Sequence, residues 1–141
     1  EIADDYDYIF IDCPPSLGIL SINALAASSG VIIPMQCEFY SLEGLSQLML
    51  SIRSVKRLYN PGLEITGILI TMYNGRLNLS AQVLEEIKKY YADKLFATGI
   101  VRNVKLSEAP SYGEPIIYYD KYSKGARAYN DVAKEILERT L

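Results

Sequence analysis

Four short apolar runs rich in β-branched residues, at 8–12, 31–35, 65–71 and 97–101, alternate with stretches of helical periodicity, and this alternation constrains the chain more than any other feature. Strands that are apolar on both faces and separated by amphipathic helices belong in a parallel sheet covered on both sides. Right-handed crossovers then connect them. The sequence therefore predicts an α/β fold, a mostly parallel sheet with helices on both faces. With 141 residues, half of them apolar, the chain is long enough for one domain that buries roughly two-thirds of its unfolded surface. No repeat, low-complexity tract or long linker divides it, so residues 1–141 are expected to form a single domain.

The helical stretches place the core. Residues 19–28 are apolar and alanine-rich, with Gly30 read as the stop signal. From Leu42, with Ser41 as N-cap, Leu45, Leu48, Met49, Ile52 and Val55 share one face, and Arg53, Lys56 and Arg57 the other. Asn60-Pro61-Gly62 ends that helix. The next carries Leu79, Val83, Leu84 and Ile87, with Glu85 and Lys89 as an i,i+4 pair on the solvent side. The last carries Ala126, Tyr129, Val132, Ala133, Ile136 and Leu137. Residues 102–123, with Pro110, Gly113 and Pro115 among tyrosines and basic side chains, read as a long irregular loop, a common seat of function.

Composition removes several chemistries. The chain has no histidine, which excludes His triads, His general bases and His metal sites. Cys13 and Cys37 lack CxxC spacing and close apolar runs, so they read as free, buried thiols in preference to a disulfide or redox pair. A formal charge of −3 argues against nucleic-acid binding through bulk positive charge but leaves local basic surfaces open. No apolar run approaches the roughly 18 residues of a membrane span, and no signal peptide is seen, so a cytoplasmic protein without membrane attachment is expected. The opening Glu1, without methionine, suggests a partial segment.

Three run ends carry chemistry. The stretch 6–16 ends on Asp12 and then on Pro14 and Pro15, which stop a strand. A carboxylate at the C-terminal end of a buried strand is how an α/β sheet sets a group beside Mg²⁺ and phosphate; a turn or helix-capping acid is the other reading. No G-x-x-x-x-G-K-[ST] loop is present to hold the phosphates. In the second, TMYNGR at 71–76, Met72 or Tyr73 could pack on a base and Arg76 could reach phosphate, or the Asn-Gly pair could simply turn the chain. At the third, the Asn103 amide suits an adenine edge and Arg102 and Lys105 set two cations nearby, where solvated loop charges are the plainer alternative.

The segments YDYIFIDCPPSLG, QCEFYSLEGLSQL, ITMYNGR and RNVKLSEAPSYGEPI together resemble the ParA/Soj family of chromosome and plasmid partition ATPases, with the MinD group more distant. The resemblance runs from Tyr6 through Leu137. It implies a P-loop α/β domain that binds ATP and Mg²⁺, forms a face-to-face homodimer around nucleotide, and coats non-specific DNA. It also implies a ParB-type activator protein and a nucleoid-associated, cytoplasmic location. By the same resemblance Asp12 holds the magnesium-bound water, Met72, Arg102 and Asn103 line the adenine side, and Arg76 and Lys105 hold DNA.

The family's phosphate-binding loop, first switch and catalytic acid lie upstream of its Walker B strand, so the resemblance implies the C-terminal part of such a domain. No catalytic residue is assigned in this chain, and ATP hydrolysis by it alone is not expected. Val101 stands where proline is usual, and Lys105 where arginine is common, losing the bidentate fork. The strand bearing the phosphate loop is expected beside the Asp12 run; without it the isolated chain would show an unpaired apolar edge and be unstable or self-associate. A catalytically inactive truncated relative acting as a protein-interaction module is the alternative. A flavodoxin-like domain would need an anion-binding loop where Pro14-Pro15-Ser16-Leu17-Gly18 makes a poor nest.

Overall fold

In a computed structural model that describes residues 3–14 and 16–140, the hydrogen-bonded sheet has two parallel strands, β1 (Gly30–Gln36) and β2 (Glu64–Thr71). Gly30 lies opposite Glu64 and Gln36 opposite Thr71, with one irregularity between Val31 and Ile32. Six α-helices are described: α1 (Ile19–Ala27), α2 (Phe39–Leu58), α3 (Asn78–Tyr91), α4 (Val104–Glu108), α5 (Ile116–Tyr119) and α6 (Lys124–Thr140). Single 3₁₀ turns occupy Ala3–Asp5 and Ala109–Tyr112.

Alternation along the strands sorts the core into two layers, as the pleat requires. Ile33 and Met35 of β1 and Ile68 and Ile70 of β2 pack with Leu45, Met49, Ile52 and Val55 of α2 and with Val83 and Ile87 of α3. On the opposite face Leu69 meets Phe96, Ile100 and Val132, with Ile32 and Ile136 beside them. Helices thus cover both faces, as the sequence predicts. The α2 stripe is buried apart from the half-buried Leu48, whereas Leu79 of α3 and Tyr129, Ala133 and Leu137 of α6 are exposed.

The four-strand expectation is corrected at both ends. Residues 8–12 form no ladder, and Tyr8, Ile9, Phe10 and Ile11 are all exposed; a strand without a neighbour has nowhere to place its backbone bonds or side chains. The segment is tethered through the Tyr8 hydroxyl, 2.8 Å from Thr140 Oγ1. Residues 97–101 do not form a continuous strand. Leu95 bridges to Ile68 of β2 and Val101 to Tyr73 just past the end of β2, but the Ala97 and Thr98 N–H groups donate instead to the Glu135 carboxylate, at 2.8 to 3.3 Å. The strand-stopping role assigned to Pro15 lies outside the described residues.

Smaller boundaries also move. Helix α2 begins at Phe39 with Glu38, not Ser41, as N-cap, and Gly30 opens β1 rather than closing α1, whose C-cap is Ser28. Gly30 is needed there because a Cβ would collide with Thr66 Oγ1. The ion pairs of α3 are Glu85 with Lys88 and Glu86 with Lys89, spaced i,i+3. Residues 102–123 hold two short helices and a 3₁₀ turn rather than irregular loop. Both cysteines are free; Cys37 is buried, but Cys13 is exposed with its unpaired segment.

Candidate functional site

The C-terminal end of β2 builds the best-formed rim. Thr71 Oγ1 donates to the Met35 carbonyl (3.3 Å), fixing the end of β2 against β1. The next residue, Met72, has φ +51°, a left-handed conformation that a branched-off Cβ normally avoids. That turn brings the Tyr73 N–H onto the Ile100 carbonyl (3.0 Å) and pairs Tyr73 with Val101, while the Ile100 N–H donates to the Ile70 carbonyl (2.8 Å). Met72 and the Arg102–Asn103 pair therefore share one edge of the sheet, where open α/β folds bind ligands. Met72 is 55% exposed, enough to offer its thioether to a planar group.

Asn103 is not a free amide. Its Oδ1 accepts the Lys105 N–H (2.8 Å) as the N-cap of α4, which leaves the two Nδ2 donors and one remaining Oδ1 lone pair for a ligand. Asn74 Oδ1 accepts the Arg76 N–H (3.1 Å), closing an Asx turn with Arg76 exposed and, among the described residues, in no ion pair.

Lys105 is engaged where the sequence left it free. Its Nζ donates to Glu108 Oε2 (2.8 Å), which also accepts the Tyr119 hydroxyl (3.0 Å), and Lys105 lies 5.6 Å from the Tyr119 ring centre. Tyr112 stacks on Tyr119 at 5.1 Å. The Lys105 hydrogen bond, followed by that of Tyr119, holds the Glu108 carboxyl below the usual carboxylate range, and Glu108 raises both Lys105 and Tyr119. Glu108 and Tyr119 are the residues that the sequence reading missed; only the i,i+3 spacing of Lys105 and Glu108 hinted at them.

Asp12 stands apart from this rim. It is exposed on the unpaired 6–14 segment and lines a cleft of about 1410 Å³ between that segment and β1. Among the described residues no group of three acidic or thiol side chains could cage a metal. One carboxylate fits the sparse protein contact that Mg²⁺ uses when waters and phosphates complete its shell. The structure thus brings Met72, Arg102 and Asn103 to one sheet edge, places Arg76 in the turn after β2 and Lys105 in the first turn of α4, and leaves Asp12 on a separate limb.

The model of a family described as AAA domain matches residues 1–65. The sporulation initiation inhibitor protein Soj of Bacillus subtilis is 58% identical over 96% of this chain and 53% of its own length. The chromosome partitioning protein ParA of Myxococcus xanthus is 52% identical over 98% of this chain and 49% of its own length. Among solved structures, cobyrinic acid a,c-diamide synthase from Mycobacterium smegmatis, with bound ATP analog and magnesium, superposes with a TM-score of 0.79 at 34% identity, covering 97% of this chain and 50% of that one. The chain spans about half the length of the curated relatives it matches. No helix among the described residues is long and apolar enough to cross a membrane.

Proposed function

We propose, for a chain that belongs to the ParA/Soj family of chromosome-partitioning ATPases, the role of that ATPase's C-terminal portion, carrying its base-side rim, its magnesium-ordering acid and its DNA-facing cations. The observation that carries the reading is the Tyr73 to Ile100 backbone bond, which sets Met72 beside Arg102 and Asn103 on one sheet edge. There Met72 packs on the adenine ring, the Asn103 Nδ2 group donates to a ring nitrogen, and Arg102 adds a planar cation. Mg²⁺, when bound, would supply charge neutralisation to the phosphates, and Asp12 would hold one of its waters by hydrogen bonding.

Arg76 and Lys105 face DNA in this reading, with no base contacts and a strong dependence on salt. Lys105 must first leave Glu108, so Arg76 is the more readily available cation. Homodimerisation and stimulation by a ParB-type partner complete the function, with the nucleoid as its place in the cell. The test joins this chain to the remaining half of Bacillus subtilis Soj in one polypeptide. Arg76→Ala should weaken filter-bound DNA several-fold while ATP affinity stays within about twofold. Equal loss of both would remove Arg76 from the DNA face and overturn the assignment.

A further inference from the structure

Of the two cations assigned to the DNA face, Lys105 is held by a carboxylate and Arg76 stands alone among the described residues. Lys105 Nζ lies 2.8 Å from Glu108 Oε2, and the same oxygen accepts the Tyr119 hydroxyl at 3.0 Å. Among the described residues no other exposed ion pair has a second side-chain donor on its carboxylate oxygen. Asp120, at the end of α5, adds a weaker pull on the lysine.

The backbone beneath this cluster is fixed. Leu106 packs so closely on α6 that a Cβ at Gly125 would collide with it, and Ala109 is buried. Gly113 turns the chain at φ +67° with its N–H on the Pro110 carbonyl (3.1 Å). Tyr112 stacks on Tyr119 at 5.1 Å and steadies the ring whose hydroxyl reaches Glu108. The Lys105 side chain, by contrast, is 46% exposed and swings on a flexible four-carbon stem. The lysine can therefore leave while the carboxylate stays.

We infer that Glu108 is a latch on the DNA face: its carboxylate occupies Lys105 in the free protein, DNA phosphate displaces it, and Tyr119 holds it in place to recapture the lysine when DNA leaves. Binding then exchanges one anion for another on the same ammonium. Lys105 accordingly adds less to affinity than a free cation such as Arg76, and bound DNA is released more readily. The inference rests on the reading of Lys105 as a DNA contact and goes beyond it by assigning Glu108 and Tyr119 to that surface as positioning residues.

The test uses the polypeptide that joins this chain to the remaining half of Bacillus subtilis Soj, with ATP and Mg²⁺ saturating. Fluorescence anisotropy of a short labelled duplex of mixed sequence is followed across a salt series. Glu108→Gln keeps the shape of the side chain and an oxygen for the Tyr119 hydroxyl but removes the charge. It should tighten DNA binding about two- to fivefold at low salt, the scale of a partly exposed ion pair, and slow dissociation by a similar factor. The slope of log affinity against log salt should steepen by up to about 0.9, the release of one further counterion. In a Lys105→Ala background the same substitution should bring little gain, because the group it frees is gone. ATP affinity within about twofold of the parent shows that each variant is folded. No gain from Glu108→Gln would overturn the inference, as would an equal gain with and without Lys105, which would make Glu108 a plain repulsive charge. A Lys105→Ala variant that binds DNA as well as the parent would instead remove Lys105 from the DNA face, and with it the reading on which the latch stands.

Discussion

Met72 shows what a single backbone angle can carry. A non-glycine residue at φ +51° costs on the order of 1 kcal/mol, and here it sits where β2 hands the chain to the rim. Met72→Gly should relieve that strain, raising the unfolding free energy by up to about 1 kcal/mol in a urea titration. In the joined polypeptide it should also lower ATP affinity by removing the thioether from the base. A loss of stability would show that Met72 is held by its contacts instead. The left-handed turn was not legible in the sequence, because methionine is among the residues least expected there. Asn103 was read as a candidate for base recognition and not as a cap, since capping depends on α4 forming within a stretch whose prolines read as loop. The turn before Arg76 was legible, because an Asn-Gly pair fixes its neighbourhood locally.

At the scale of elements, the break in the 97–101 run separates what local pattern can specify from what it cannot. Its apolar, β-branched residues favour a strand, and the contacts of Ile100 with Ile70 agree. The Ala97 and Thr98 N–H groups nevertheless turn to Glu135, 38 and 37 residues away, and Glu135 is itself held by Arg139 at 2.8 Å. No periodicity predicts that capture. Arg139 also donates to the carbonyls of Thr66, Lys94 and Leu95, so one pair on α6 locks the edge of β2. Glu135→Ala would strand a largely buried guanidinium and two N–H groups, and should cost about 3 kcal/mol in thermal or urea unfolding. Arg139→Ala should cost a similar amount, and the double variant less than their sum.

The α4 to α5 segment gives a pH prediction at the same scale. Glu108 titrates below its unfolded value, so its contribution is complete above the ordinary carboxylate range and is lost as pH falls through the depressed one. The Tyr112 and Tyr119 stack should therefore loosen under acid, seen as a change in near-ultraviolet dichroism that Glu108→Gln abolishes. In the joined polypeptide Glu108→Gln should also release Lys105 and strengthen DNA binding at low salt; unchanged binding would remove Lys105 from that surface.

For the molecule as a whole, the layered α/β order was legible because helix stripes and strand runs alternate over nearly the full length. The strand count was not, because a strand is defined by its neighbour, and the 8–12 run has none among the described residues. The same fact governs how the chain should behave alone. An accessible surface about a third larger than its mass warrants leaves Ile9, Phe10 and Ile11 in water along with the free edge of β1. A net charge of −3 provides little repulsion to keep such surfaces apart, and still less near the isoelectric point of about 5.0. The isolated chain should bind a hydrophobic dye, melt broadly and scatter light increasingly as the pH is lowered toward 5, while the β1 amides go on exchanging quickly because disordered association pairs no strand. A monomeric chain with a sharp, reversible melt and no dye binding would mean that the exposed residues find partners within the chain, and the open sheet would then be closed by the chain itself.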